Sequence, residues 1–270
     1  MTQLQKRMRP LLGCFVEIAL PQTPITQAAF RAAFSRIELI QQLLSFHNPA
    51  SDLSRLNAAQ GNAVACHPLS LQCFRLAKAV TRVSAGRFNC TLGAALTKRK
   101  LLPAHNYEQL YGEQLLAGGD WRDLELNSIS ARLARPVLVT LDGIAKGFAV
   151  DSAITELKCL GVNGGWINAG GDIRVFGDVV LPIAVRDHQD KEHLLGGLQN
   201  AAVATSTSIA TPDFPGVLLD GCGQSLPPMT STVIAHSAWR ADVLTKVAAA
   251  TLPRERAEYV ARLGGRWISL

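Results

Sequence analysis

The chain has 270 residues, of which 48% are hydrophobic and 18% are charged. This composition is that of a globular protein long enough to bury a core, and it excludes a disordered chain or a small disulfide-stapled fold. The net charge is +6, and only 6% of the residues are aromatic. Because the chain lacks the mixed basic and aromatic pattern of a nucleic-acid-binding groove, we expect no nucleic-acid partner.

The N-terminal region contains an apolar run, Pro10–Leu20, which Glu17 interrupts. A membrane-spanning helix needs about 20 apolar residues, so we expect no membrane insertion. Leu11–Cys14 resembles a bacterial lipoprotein cleavage site, but a signal peptide needs an apolar core of about 7–15 residues before such a site, and only three precede it here. The six cysteines lack paired spacing, which argues against a zinc site or a disulfide framework and favours a cytoplasmic location.

The first half of the chain predicts one strand and two long helices. Residues 11–20 predict a strand, and apolar residues at helical spacing predict a helix over 27–46. Ser51–Asn57 follows as a polar turn with a short helical or irregular piece. A second helix begins at Pro68 and ends at Gly86, because proline suits a first helical turn and glycine a helix end.

The middle of the chain contains the clearest pattern. Val137–Leu141 is rich in β-branched residues and predicts a strand, and Asp142–Gly147 predicts a turn into a helix. Gly161 marks the end of that helix. The helix has one apolar face, formed by Val150, Ala153, Ile154, Leu157 and Leu160.

Two further strands, a helix and a final strand complete the predicted elements. A strand through Trp166–Asn168 is followed by a turn at Gly170–Asp172 and a strand over Ile173–Phe176. The last helix is predicted from about Ala238 to Leu252, and a terminal strand from Arg266 to Leu270.

Residues 203–228 are predicted to be rich in loops, because prolines and glycines cluster from Pro212 to Gly223. The chain shows no internal repeat, low-complexity tract or clear linker. We therefore predict a single α+β domain over residues 1–270, with a mixed or antiparallel sheet and flanking helices.

Two glycine turns are candidate phosphate-binding sites. The turn LDGIAKG offers backbone N–H groups, a helix N-terminus and Lys146, which together suit a phosphate. It matches neither the Walker loop nor the dinucleotide fingerprint, and taken alone it is better explained by a plain turn with a solvated lysine. Asn168–Asp172 has the same ambiguity, because paired glycines also form ordinary hairpin turns.

Asp242 and Thr245 lie three residues apart in the last predicted helix, so both oxygens can point in the same direction. A carboxylate and a hydroxyl, joined by a loop carbonyl, form a set of hard oxygen ligands that suits Mg²⁺. The alternative is an exposed ion pair between Asp242 and Lys246 at spacing i, i+4.

The order of the motifs indicates a family. RPLLGCFVEI, SDLSRLNAA, GRFNCTLG, LDGIAKGFAVD, INAGGDIRVFG, VATS and ADVLTKVAA follow one another between residues 9 and 250. This order closely resembles that of the ApbE-type FAD:protein FMN transferase family, and INAGGD at this distance after GIAKGFAVD is the most specific part of the match. The resemblance implies an α+β flavin-transferase domain that binds FAD and Mg²⁺. Such an enzyme transfers FMN to a threonine or serine hydroxyl of a target flavoprotein and releases AMP.

The resemblance also implies roles for individual residues. Asp242, Thr245 and the carbonyl of Ala145 would hold the metal ion, and Lys146 would act at the diphosphate. The residues implied to bind FAD are Ser54, Asn57, Thr91, Gly143, Lys146, Asn168, Gly170, Gly171, Asp172 and Ser206.

The chain departs from the family pattern at several positions. Asn89-Cys90 replaces Asp-Pro, and Thr140 and Asp142 replace an aspartate and a glycine. The segment 217–223 lacks the histidine that is frequent in the family, so Asp220, the titratable side chain left there, is predicted to accept the proton of the attacking hydroxyl or to orient the acceptor.

A further departure lies in the predicted metal site. Thr245 stands one residue before the commonest position of the metal threonine, and Lys246 occupies that position. Two alternatives to an active transferase remain open. One is a non-catalytic FAD-binding protein of the same fold, acting as a flavin reservoir or as a partner-binding subunit. The other is a basic interaction protein without a ligand.

Overall fold

The computed structural model describes residues 4–186, 191–210 and 216–269. Within these ranges the chain divides into two compact units. Unit 1 comprises residues up to Leu39, Lys146–Leu218 and Pro227 onward, and unit 2 comprises Ile40–Ala145 and Leu219–Leu226. The described helices include none that is both long and apolar enough to cross a membrane.

Unit 1 is built on an antiparallel sheet with the strand order β1-β2-β6-β7-β10-β11-β12. These strands are β1 (Leu4–Leu11), β2 (Cys14–Pro21), β6 (Gly164–Ala169), β7 (Asp172–Gly177), β10 (Ala202–Thr207), β11 (Thr230–Ala235) and β12 (Gly265–Ile268). A separate hairpin contains β8 (Leu181–Arg186) and β9 (Glu192–Leu198). Buried residues of the large sheet and of this hairpin form one hydrophobic cluster, which comprises Ala19, Trp166, Val175, Ile183, Val185, Leu198 and Val203.

Four helices accompany these strands: α1 (Thr26–Leu44), α6 (Ala145–Cys159), α7 (Ala238–Ala249) and α8 (Arg256–Arg262). The last five residues of α1, from Ile40 to Leu44, belong to unit 2, as does Ala145 at the start of α6. Helix α6 ends at Cys159, and Gly161, two residues later, has a φ of 79° that suits glycine at a helix end.

Unit 2 contains a small antiparallel sheet with the order β3-β5-β4, formed by β3 (Val64–Ala65), β4 (Leu124–Leu126) and β5 (Ser130–Leu133). Its shorter helices and its one long helix are α2 (Asp52–Asn57), α3 (Pro68–Val83), α4 (Gly93–Lys98) and α5 (Tyr107–Tyr111). Buried side chains such as Phe74, Leu56 and Leu124 form its interior.

The predicted α+β class is confirmed, and the strands of the sheets pair in antiparallel fashion. Two strand predictions were wrong in detail. Residues 11–20 do not form one strand, because Leu12 and Gly13 have positive φ values and make the turn of a hairpin. Val137–Leu141 is not a regular strand, since its pairing is limited to an isolated bridge at Leu138.

The loop prediction for residues 203–228 was wrong at its start, where β10 pairs with β11. Residues 211–215 of that segment lie outside the described residues. The single domain over 1–270 stays a prediction, which one cooperative unfolding transition of the whole chain would confirm.

Candidate functional site

An ion pair connects the two glycine motifs in unit 1. Lys146 lies in the first turn of α6, and Asp172 is the first residue of β7. The Lys146 Nζ atom lies 2.7 Å from Asp172 Oδ2. The Asp172 side chain is buried, whereas that of Lys146 is 37% exposed, so the lysine side chain extends from the surface to a buried carboxylate.

A tight hairpin turn places Asp172 at this position. Ala169 and Asp172 are paired in the sheet, and the two residues between them, Gly170 and Gly171, have φ values of 62° and 98°. The side chain of Asn168 accepts a hydrogen bond from the Gly171 backbone N–H at 2.8 Å. The segment is therefore the ordinary hairpin turn that its glycines indicate, and its aspartate also belongs to a buried ion pair.

Asp242 in α7 is completely buried. Its Oδ1 accepts a hydrogen bond from Lys246 Nζ, one turn later in the same helix. Its Oδ2 is buried and makes no hydrogen bond within the part of the chain that the structure describes. The expected i, i+4 pair therefore exists, but the expectation that it is exposed was wrong at Asp242, and a buried carboxylate oxygen without a partner suits a cation.

Thr245 connects α7 to β10. Its hydroxyl donates to the backbone carbonyl of Asp242 at 2.6 Å, and it lies 2.6 Å from the hydroxyl of Ser206. Because the Thr245 hydroxyl donates its one proton to the Asp242 carbonyl, the Ser206 hydroxyl donates to the Thr245 oxygen. Both predicted residues are thus within one short hydrogen-bonded chain next to Asp242.

Lys146, Asp172, Asp242 and Lys246 form what we call the charged cluster. Burial and the neighbouring Asp242 raise the pKa of Asp172 to about 6. Burial also acts on Asp242, but Lys246 and Lys146 outweigh it and hold the pKa of Asp242 below its usual range. Burial lowers the pKa of Lys146, yet Asp172 and Asp242 together raise it above the ordinary value, so this lysine stays charged.

Asp151 fixes the start of α7, and the sequence analysis missed it. Its two carboxylate oxygens accept hydrogen bonds from the backbone N–H groups of Ala238 at 3.0 Å and Trp239 at 2.9 Å. Arg174 donates to the same carboxylate at 3.1 Å. A Cβ on Gly147 would lie 2.5 Å from the Ala238 backbone, so glycine permits this close approach. The i, i+4 spacing of Gly147 and Asp151 in the GIAKGFAVD motif could have revealed their common face.

In unit 2, the Asn57 side chain is hydrogen-bonded to the backbone of Val139, in the segment that follows β5. Its Nδ2 donates to the Val139 carbonyl at 2.8 Å, and its Oδ1 accepts from the Val139 N–H at 2.7 Å. Ser54, in the same short helix, donates through its hydroxyl to the Phe46 carbonyl at 3.2 Å. Both predicted FAD-binding side chains are therefore buried and hydrogen-bonded to backbone.

Thr91 belongs to a second polar group of unit 2. Asn89 Oδ1 accepts from the N–H and the hydroxyl of Thr91 at 2.9 and 2.7 Å. Asn89 Nδ2 donates to the carbonyls of Gly119 and Gly221, both at 2.9 Å. Asn89, at a position where the chain departs from the family, thus ties three segments of unit 2 together.

The loop that contains Asp220 is a hydrogen-bonded turn. Asp220 Oδ1 accepts from the backbone N–H groups of Cys222 at 2.9 Å and Gln224 at 2.8 Å.

Gly143, in the turn before α6, has a φ of 90° that favours glycine. Ala145 is the first residue of α6.

The structure thus brings Lys146, Asp172, Ser206, Asp242 and Thr245 together in unit 1, with Lys246 added. The other predicted site residues lie in unit 2, apart from the turn residues Asn168, Gly170 and Gly171 of unit 1. Over the described ranges, no group of three or more His, Cys, Asp or Glu side chains is arranged to hold a metal ion. A metal at Asp242 would therefore need ligands beyond carboxylates.

Residues 12–266 match the model of the ApbE family. Among solved structures, the flavinyl transferase ApbE of Pseudomonas stutzeri in its apo form has a TM-score of 0.82 and 19% identity, over 99% of this chain and 94% of that one. The ApbE protein of Thermotoga maritima has a TM-score of 0.82 and 23% identity, over 98% and 93%. A mutant of the flavin transferase ApbE of Vibrio cholerae has a TM-score of 0.81 and 18% identity, over 98% and 97%. None of the curated proteins matches this chain.

Proposed function

This chain belongs to the ApbE family, and we propose on that basis that it transfers FMN from FAD to a hydroxyl group of another protein. The observation that carries the proposal is the family match from residue 12 to residue 266, which includes every residue of the charged cluster. The solved structures that share the fold are named as flavin transferases in Pseudomonas stutzeri and Vibrio cholerae.

The proposed reaction is a phosphoryl transfer between two oxygens. The oxygen of a threonine or serine hydroxyl on the target protein forms a bond to the FMN phosphorus of FAD. The bond between that phosphorus and the bridging oxygen breaks, AMP leaves with the bridging oxygen, and the hydroxyl proton passes to a base. The diphosphate is anionic and gains charge on its leaving oxygen, so catalysis depends mainly on positive charge and oriented dipoles.

Lys146 supplies positive charge in this proposal. It stays protonated because Asp172 and Asp242 hold its pKa up, and its side chain is partly exposed. It also lies in the first turn of α6, where backbone N–H groups and the helix dipole favour an anion. We also propose that Gly143 and the turn at Asn168–Gly171 bind FAD through backbone groups.

The residues around Asp242 fit a magnesium ion. Oδ2 of Asp242 is buried without a hydrogen bond in the described ranges, and the Thr245 hydroxyl and the Ala145 carbonyl are the further ligands that we propose. Mg²⁺ usually binds one or two carboxylates and completes its shell with waters and substrate phosphates, so a cluster of three carboxylates is unnecessary. When bound, the ion neutralises charge on the diphosphate.

The remaining residues of the proposal are those that the family resemblance implies. We assign Ser54, Asn57 and Thr91 to the FAD site and, because their side chains are hydrogen-bonded within unit 2, they would act there chiefly by positioning backbone groups. We assign the proton acceptor to Asp220, whose carboxylate is held by two backbone N–H groups. A flavoprotein as the acceptor and the cytoplasmic location stay predictions.

The test is co-expression with a candidate flavoprotein acceptor, followed by mass spectrometry of that acceptor. We expect one covalent FMN on a threonine or serine, with no adduct when the transferase is omitted. An acceptor that stays unmodified, together with a purified protein that holds FAD and forms no AMP with any acceptor, would favour the flavin-reservoir alternative. A colourless protein with no affinity for FAD would exclude both functions.

A further inference from the structure

Lys246 is paired with one carboxylate oxygen of Asp242, and the other oxygen is the one that we propose as a metal ligand. Lys246 lies one turn after Asp242 in α7, and its Nζ contacts Asp242 Oδ1 and lies 3.2 Å from the Asp242 backbone carbonyl oxygen. Asp242 is completely buried, whereas the Lys246 side chain is 21% exposed. The ammonium thus reaches in from the surface and covers one carboxylate oxygen, while the other has no hydrogen bond among the described residues.

The charged cluster is balanced without a metal ion. Asp172 and Asp242 contribute two negative charges, and Lys146 and Lys246 contribute two positive charges. Two buried carboxylates alone would attract a divalent cation strongly, but here each already has an ammonium partner. A magnesium ion that approaches Asp242 must therefore overcome repulsion from Lys246 or displace it.

We propose that Lys246 is a built-in counter-cation of Asp242 that makes metal binding conditional on the diphosphate. This inference rests on the proposed function, because it takes Asp242 as the metal ligand. In the free protein, Lys246 holds Asp242 and keeps the affinity for a divalent cation low. A bound diphosphate adds negative charge and oxygen ligands, and these let the ion compete with the ammonium.

The direct test is to measure Mn²⁺ binding without nucleotide, using the electron paramagnetic resonance signal of the free ion as the readout. We expect Lys246→Met to bind Mn²⁺ at least about 10-fold more tightly than the unmodified protein, because the repulsion at Asp242 is gone. Lys246→Arg keeps the charge and is expected to bind as weakly as the unmodified protein. Lys158→Met, which removes a lysine of α6 that lies over the Phe176 ring, serves as the matched control and should change nothing.

Thermal unfolding provides a second readout. In Lys246→Met the buried charge of Asp242 has lost its counter-cation, so we expect this variant to have a lower melting temperature than the unmodified protein. Added Mg²⁺ should raise the melting temperature of the variant in proportion to the fraction of protein that binds the ion. The melting temperature of the unmodified protein should not depend on Mg²⁺ unless FAD is present. Lys246→Gln, which removes the charge but retains a hydrogen-bond donor, takes the place of the methionine variant if that variant does not fold.

Two results would overturn the inference. One is equal Mn²⁺ affinity in the neutral variants and the unmodified protein, and the other is an affinity of the unmodified protein that FAD does not increase. Neither measurement depends on transfer. A protein that forms no AMP from FAD but shows tighter Mn²⁺ binding in both neutral variants would overturn the proposed function and leave the role of Lys246 standing.

Discussion

The charged cluster of unit 1 and the buried asparagines of unit 2 differ in whether their buried polar atoms have hydrogen-bond partners. Asn57 exchanges two hydrogen bonds with one backbone residue, and Asn89 uses both ends of its amide. Asp242, by contrast, has a buried oxygen without a hydrogen bond in the described ranges. Saturated amides hold the chain in place, whereas an unsatisfied buried carboxylate is available to a ligand.

The largest effect is expected for Asp242→Asn. The amide keeps the volume of the side chain but removes the charge that we assign to the metal, so the rate of AMP release should fall by about 100-fold or more. The measurement is AMP formation at saturating FAD and Mg²⁺, with unfolding followed in parallel. Glu156→Gln is the matched control, since Glu156 forms a half-buried ion pair with Arg36 in the same unit. A variant of Asp242 with nearly unchanged transfer would identify the pair with Lys246 as purely structural.

Asn57→Ala tests the opposite case in unit 2. It leaves the buried N–H and carbonyl of Val139 without their partners, so we expect a loss of about 3 kcal/mol in the free energy of unfolding. Asn62→Ala, at an exposed asparagine whose side-chain amide donates to the Ala59 carbonyl in the same unit, should cost less than about 0.5 kcal/mol. Urea denaturation gives both values. Equal stability of the two variants would contradict a structural role for Asn57.

Asp172 predicts a pH dependence of stability. Its pKa is raised to about 6 by burial and by Asp242, so the folded state holds more protons than the unfolded state between about pH 4 and pH 6. Protonated Asp172 therefore adds to the free energy of unfolding below about pH 4. This contribution, of up to about 3 kcal/mol, is lost as the pH rises to 6. The difference in unfolding free energy between the unmodified protein and Asp172→Asn should follow this slope. A difference that stays constant from pH 4 to pH 6 would refute the shift.

The smallest effect is expected at the start of α7. Asp151→Asn retains one acceptor for the helix N–H groups but loses the charge that pairs with Arg174, and should cost about 1–2 kcal/mol in unfolding free energy. Ser237→Ala is the control, because Ser237 stands at the N-cap but makes no side-chain capping bond. It should cost less than about 0.5 kcal/mol. The reverse order of the two losses would show that Ser237, and not Asp151, caps the helix.

The long helices could be predicted from the sequence because their apolar faces recur with the helical period. The predicted helix over 27–46 is found at Thr26–Leu44, and the one from Pro68 ends at Val83, three residues before Gly86. The hairpin at Leu12-Gly13 was hidden because apolar residues continue through the turn. Val137–Leu141 has the composition of a strand, but its backbone bonds to the side chain of Asn57, a contact over 82 residues that no local pattern contains.

The candidate site was predictable only in part for the same reason. Lys146 and Asp172 were found through glycine motifs, but their ion pair depends on how a hairpin and a helix pack. The burial of Asp242 could not be inferred from its helix alone, since an aspartate and a lysine at spacing i, i+4 are typical of a solvated helix face. Asp151 contacts residues 87 and 88 positions away, so its role appears only in the folded protein.

We propose that the charged cluster supports metal-dependent transfer of FMN. The most direct measurement is the amount of AMP released from FAD in the presence of a flavoprotein acceptor, with Mg²⁺ and with excess EDTA. We predict one AMP for each FMN attached to the acceptor in Mg²⁺, and none above background in EDTA. Equal AMP release under the two conditions would contradict the role of the metal and of Asp242.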